Sequence, residues 1–167
     1  LGIGSAHKIG IKHCYKKKYD LIITMDSDGT HNPSYINKML NKIKTYDLII
    51  TNRFKKKNSL SKWPLYRRFL TRLRFFLVSF LLGIPLDTSG AFRCYKKNKI
   101  NIKHILQAKD NGYSFFWESG HILYKKKYKI CEIPISLPYR SIGSSKMKIK
   151  DIIHALYYLF IVSNKKI

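Results

Sequence analysis

Two carboxylates, Asp26 and Asp28, stand two positions apart in the segment DLIITMDSDGTHNP, residues 20 to 33. They follow directly on the apolar run Leu21-Ile22-Ile23-Thr24-Met25, which has the length and branching of a buried strand. Like charges held that close repel, and a divalent cation removes the repulsion. Two hard oxygen ligands suit Mg²⁺ or Mn²⁺, which are held by one or two carboxylates together with substrate phosphates. A strand that delivers both side chains at its carboxyl end places them in the crevice where α/β sheets bind ligands. A calcium loop fails on register: with Gly29 in the sixth position, the twelfth is Tyr35, where a carboxylate is needed. The other reading is an Asx-type turn in which Asp28-Gly29 simply makes the corner. From these residues alone both stand.

The elements that would position the pair follow from apolar runs and their punctuation. Residues 5 to 15 read as a helix after a glycine-rich turn, and 20 to 25 as a strand. Pro33 opens a helix to about residue 44, and YDLIITNRF, residues 46 to 54, is a second buried strand. Two such strands flanking a helix predict a βαβ unit and a parallel sheet. Residues 63 to 83 form a long helix started by Pro64 and ended by Gly83, with Arg67, Arg68, Arg72 and Arg74 among Leu, Phe and Val. A loop into a short strand spans 87 to 97, helices are expected at 98 to 109 and 112 to 124, a strand at 128 to 137 and a loop at 139 to 147. A final apolar helix covers 150 to 166.

The chain has 167 residues, enough for one domain with a real core. A hydrophobic content of 45% excludes a disordered tail. With 33 basic and 9 acidic residues the net charge is +24, a field that attracts nucleotides, nucleic acid or acidic lipid surfaces. The lysine runs at 16–18, 55–57 and 125–127 read equally well as solvated faces. Three scattered cysteines without a CxxC spacing speak against a zinc site and a disulfide framework. No stretch reaches the ~18 consecutive apolar residues of a spanning helix.

Read in chain order, LGIGSAHKIGIKH, MDSDGTHNPSYI, DLIITNRF, WPLYRR, DTSGAFRCYKK, GYSFFWES and KICEIPISLPYRSIGSSK resemble a family 2 glycosyltransferase, nearest the dolichol- or polyprenol-phosphate mannosyltransferase group. The resemblance runs to about Lys150. It implies an α/β GT-A fold with a mostly parallel mixed sheet, as a partial domain over residues 1–148 followed by an apolar, interfacial helix over 149–167. Family members begin with a strand, a Pro-x-x-Asn-Glu turn and a further Asp pair, so LGIGSAH is expected to lie inside a longer domain whose first strands are missing here.

The same resemblance implies transfer of a hexose from a nucleotide sugar, usually GDP-mannose, to a polyprenyl or dolichyl phosphate, with inversion at the sugar carbon and Mg²⁺ or Mn²⁺ as cofactor. Asp26 and Asp28 match the metal- and diphosphate-binding pair. Arg53 matches an arginine near the diphosphate and sugar, and Asp87 the Asp of a D-x-x-G turn close to the sugar; these are the expected catalytic residues. Arg67 and Arg68 match arginines near the acceptor phosphate. Arg140 and Lys146 match the R-x-x-G-x-S-K loop over the phosphates. Glu118 matches the family's helix glutamate, which an exposed helical position explains almost as well, and Glu132 reads as structural. A lipid acceptor implies a membrane surface, at its cytoplasmic face, with residues 66 to 82 and 152 to 163 lying in the interface. Two other readings remain: a sister transferase for glucose or another hexose, and an inactive basic fragment that binds membranes or nucleic acid. The second has no helix-turn-helix, zinc-finger or RNP motif behind it, and nucleic acid is not an expected partner.

Overall fold

The computed structural model describes residues 2–139 and 149–165. In chain order the elements are α1 (Ile3–Lys16), β1 (Leu21–Thr24), α2 (Tyr35–Lys42), β2 (Leu48–Asn52), α3 (Leu65–Leu82), β3 (Arg93–Lys96), α4 (Ile102–Leu106), α5 (Ser114–Lys125), β4 (Ile130–Pro134) and α6 (Ile149–Ser163). Pro64 caps the start of α3, where its missing N–H costs nothing, and Gly83 ends that helix at φ +65°, a left-handed conformation suited to glycine.

The four strands order as β1-β3-β2-β4. β2 pairs with β4 in parallel, while β3 pairs antiparallel with both β1 and β2. So β1, β2 and β4 run one way and β3 runs against them, which makes the sheet mixed. This corrects the expected βαβ unit: β1 and β2 do point the same way, but β3 is inserted between them. The reason is burial on both faces. Leu48, Ile49 and Ile50 of β2 are all buried, and so are Arg93, Cys94 and Tyr95 of β3. Strands covered on both faces belong in the middle of a sheet.

One face of the sheet carries Ile22, Leu48, Ile50 and Tyr95 against Ile11 of α1, Ile105 of α4 and Phe115 and Leu123 of α5. The other carries Ile49, Cys94 and Ile133 against Met39 of α2 and Leu60. The close fit of α1 explains the opening glycines: a Cβ at Gly4 would stand 2.7 Å from Phe115 Cβ and 2.8 Å from Gly112 O. A third apolar cluster joins α3, α5 and α6 through Val78, Leu82, Trp117, Leu159 and Val162. No helix among the described residues is long and apolar enough to cross a membrane.

Candidate active site

The strand directions bring the chemistry to one edge. Thr24 pairs with Arg93, Ile50 also pairs with Arg93, and Asn52 pairs with Pro134. The carboxyl ends of β1, β2 and β4 therefore meet the amino end of β3. Asp26 and Asp28 follow β1, Arg53 follows β2, and the turn carrying Asp87 leads into β3. This is the edge at which α/β sheets bind ligands.

Arg53 and Asp87 are brought into direct contact. Arg53 Nε donates to Asp87 Oδ2 at 2.8 Å, Nη2 donates to Oδ1 at 3.3 Å, and the Arg53 backbone N–H adds a third bond to Oδ2 at 3.2 Å. This is the two-pronged geometry that suits a guanidinium to a carboxylate. The Asp87 side chain is wholly enclosed and Arg53 keeps only 10% of its surface exposed. Asp87 thus acts on Arg53, holding its fork in one orientation. Gly90 makes room for it: a Cβ there would stand 3.3 Å from Arg53 Nη2.

Three further residues complete the cluster, none of them singled out by sequence reasoning for this site. Ser89 Oγ donates to Asp87 Oδ1 at 2.9 Å and accepts from Arg53 Nη2 and Arg74 Nη2, each at 3.1 Å. Arg74 has its pKa pushed down to about 10, first by burial and then by the Arg53 charge, with Asp87 acting the other way. Its Nε is buried without a hydrogen-bond partner among the described residues. Two guanidinium groups therefore share the Ser89 hydroxyl, and only Arg53 is bonded to the Asp87 carboxylate, an excess of positive charge suited to an anion. Arg93, fully buried, ties the Asp87 turn to α5: it donates to the carbonyl oxygens of Thr88, Gly90 and Phe116 and to Ser119 Oγ. The only advance signal for Arg74 was its place, with Arg67, Arg68 and Arg72, in the otherwise apolar stretch that forms α3.

The carboxylate pair is held by its own loop. Asp28 Oδ1 accepts from Thr30 N–H at 3.0 Å and Thr30 Oγ1–H at 2.6 Å, and Gly29 turns the chain at φ +78°. The Asx-type turn is thus present. His31, buried with its ring tilted against that of Phe92, accepts the Asp26 N–H on Nδ1 at 3.0 Å. That bond requires a neutral ring, and burial holds the His31 pKa below its ordinary value, against the pull of Asp26. Arg53 is close enough to His31 to push the same way. Asp26 keeps 35% of its side chain exposed. The donor set is all oxygen, with the His31 nitrogen already used, and so fits a hard cation. Among the described residues no three His, Cys, Asp or Glu side chains converge as a ready cage, so further ligands would have to come from substrate or water.

The remaining predicted residues are scattered. Arg67 lies over the rings of Trp63 and Tyr139, at 5.2 and 5.6 Å from the centroids, and its Nη1 donates to Tyr139 Oη at 3.4 Å. Arg68 Nε is buried without a partner among the described residues. Neither touches the Arg53–Asp87 pair. Arg140 and Lys146, with their loop, lie outside the described residues. Glu118 is buried, not exposed: it accepts from Asp110 N–H at 3.0 Å and from Tyr158 Oη–H at 2.8 Å. It fastens α6 to α5, and burial together with that carboxylate raises the Tyr158 pKa.

The chain is similar to several known proteins. An undecaprenyl-phosphate mannosyltransferase of Micrococcus luteus is 26% identical over 147 residues, 87% of this chain and 60% of that protein. A polyprenol monophosphomannose synthase of Mycolicibacterium smegmatis is 25% identical over 158 residues, 93% of this chain and 60% of that protein. The chain thus spans about 60% of the length of the curated relatives it matches. A solved structure from Desulfovibrio desulfuricans G20, assigned as a nucleotide-diphospho-sugar transferase, superposes with a TM-score of 0.49 at 11% identity, covering 99% of this chain and 64% of that one. The model of the glycosyl transferase family 2 matches residues 1–126, from α1 to the end of α5, and with it the sheet edge that holds Asp26, Asp28, Arg53 and Asp87: the chain belongs to that family.

Proposed function

We propose that this chain belongs to a polyprenyl-phosphate mannosyltransferase, moving mannose from GDP-mannose to the phosphate of a polyprenyl or dolichyl lipid. The observation that carries the reading is the convergence of Arg53, gripped by Asp87, and Arg74 on Ser89, beside the Asp26–Asp28 loop. Such a cluster suits a reaction in which every reactant is an anion. The names of the two bacterial relatives support the sugar and the lipid class.

An acceptor phosphate is ionised at neutral pH and needs no strong base. Its oxygen forms a new bond to the sugar C1 as the bond from C1 to the diphosphate breaks. The nucleoside diphosphate leaves with that electron pair, and the configuration at C1 inverts. Rate enhancement then rests on placement and on charge stabilisation. Arg53, held rigid by Asp87, and Arg74 meet the anions from the sheet side. Asp26 and Asp28 would hold Mg²⁺ or Mn²⁺, whose chemistry is to neutralise charge on the leaving diphosphate.

The lipid enters from the α3–α6 side. Phe69, Phe76 and Phe80 of α3 and Ile153, Tyr157 and Phe160 of α6 are all exposed, an apolar surface beside the arginines of α3 that suits the headgroup region of a bilayer. On this reading the protein works peripherally at a membrane, at its cytoplasmic face.

The test is transfer of radiolabelled mannose from GDP-mannose to undecaprenyl or dolichyl phosphate by the protein, with and without EDTA. The expected product is an organic-extractable mannosyl phospholipid, lost with EDTA and restored by Mg²⁺ or Mn²⁺. Transfer only from another nucleotide sugar would replace mannose with that sugar. No transfer from any nucleotide sugar would overturn the reading.

A further inference from the structure

We infer that Glu132, on β4, is a positioning residue that fixes Arg53 and Asp87 relative to each other. Its side chain keeps only 2% of its surface exposed. One oxygen, Oε1, accepts from the Asp87 backbone N–H at 2.7 Å and from Asn52 Nδ2 at 2.8 Å. The other, Oε2, stands 2.6 Å from Lys55 Nζ. Asn52 in turn accepts on Oδ1 from the N–H groups of Phe54 and Lys55, at 2.7 and 2.8 Å. One carboxylate thus joins three separate segments: β4, the turn after β2 that carries Arg53, and the turn before β3 that carries Asp87.

The position argues against a purely structural part. A carboxylate buried at a sheet edge loses its hydration and recovers it only through well-aimed partners. An apolar residue would join β4 to its neighbours with less strain on the balance of charge. What the carboxylate adds is a common anchor for the turns that leave β2 and enter β3, beyond the last paired residues of those strands, Ile50 and Arg93. The backbone of Asp87 is pinned by Glu132 and its side chain grips Arg53, so a shift at Glu132 is transmitted to the guanidinium through two hydrogen-bonded steps.

The consequence for activity rests on the proposed transferase reading; the positioning itself is read independently. The experiment compares the wild-type protein with Glu132→Ala and Glu132→Gln, by hydrogen exchange resolved along the chain and by transfer kinetics. In E132A, exchange is expected to quicken at residues 52–55 and 86–89 while α5 stays as in wild type. The kcat for transfer falls about a hundredfold, the scale of a small misplacement, and the donor KM moves less than about twofold. E132Q keeps an oxygen for the Asp87 N–H and Asn52 Nδ2, loses only the ion pair with the exposed Lys55, and stays within about fivefold of wild type. Three results would overturn the inference: exchange that quickens throughout α5 as well, an E132A kcat close to wild type, or an E132Q as impaired as E132A. Should the wild type transfer no sugar, the proposed function fails alone, and the exchange pattern of E132A still decides the role of Glu132.

Discussion

Asparagine in place of Asp28 separates a turn from a charge. Asp28→Asn keeps an oxygen where Oδ1 receives the Thr30 N–H and hydroxyl, so the loop retains its shape. The negative charge disappears, and with it the attraction for a cation. Stability is expected to change by less than about 0.5 kcal/mol, while transfer falls by roughly two to three orders of magnitude, the scale of losing one charge stabiliser at a reacting centre. Thermal melting alongside the mannose-transfer assay checks both halves; a fully active D28N would remove the metal assignment. Arg74 offers the opposite case, a charge whose removal relieves its neighbours. Arg74→Gln takes away one of two guanidinium groups at Ser89, and the Arg53 charge no longer pushes against it. The melting temperature should hold or rise. Transfer should drop roughly ten- to a hundredfold, as for loss of one charged hydrogen bond. A variant that melts lower and transfers normally would make Arg74 a structural residue.

At the scale of elements, what could be read in advance was local and what could not was long-range. The LIIT and LIITN runs announce β1 and β2, and Pro64 and Gly83 bracket α3, because propensity, branching and capping act within a few residues. The place of β3 was not legible. Its four residues, Arg-Cys-Tyr-Lys, look like an edge, and only the contacts of Arg93 with α5 and the turn before it make it central. The site divides in the same way. Asp26 and Asp28 stand out by spacing, and Arg53 and Asp87 through a motif order. Arg74 and Glu132 act through partners 15 to 80 positions away, Ser89 meets Arg53 across 36, and no local pattern marks such pairs. The α3–α6 surface was legible in composition, and the structure adds which side chains remain outside. Phe76 and Phe80 stack on each other at 5.9 Å while lying 60% and 74% exposed. Replacing both with serine removes nothing from the core, so folding should persist. Sedimentation with anionic vesicles should then fall about tenfold or more, since two aromatic side chains carry several kcal/mol of apolar burial between them. Unchanged vesicle binding would move the lipid contact elsewhere.

Over the whole molecule, a net charge of +24 and a set of buried or half-buried histidines act together when the pH falls. His7, His31 and His121 all have pKa values lowered by burial, and that of His121 falls to about 4. In the unfolded chain each returns to about 6.5. Below that value the unfolded state binds protons that the folded state refuses. The stability these neutral rings contribute is therefore complete above pH ~6.5, declines as pH drops towards 4, and for His121 levels off below that. Melting temperature should accordingly fall between pH 7 and 4. Acid also adds to the positive charge, and self-repulsion would lower stability over the same range. Salt distinguishes the two causes, because repulsion between surface charges is screened within about 8 Å at physiological ionic strength while burial of a neutral ring is not. His121 sits on α5, with Lys125 as the charge that reinforces its burial. His121→Gln removes one titrating group, so its stability should decline with pH less steeply, by up to about 1.4 kcal/mol per pH unit for one proton. The difference between wild type and H121Q should survive in 0.5 M salt, on the order of 4 Å in screening length. Parallel pH profiles for the two proteins would mean that His121 takes up its proton as readily in the folded state as in the unfolded chain, leaving His7, His31 and charge repulsion to set the acid limit.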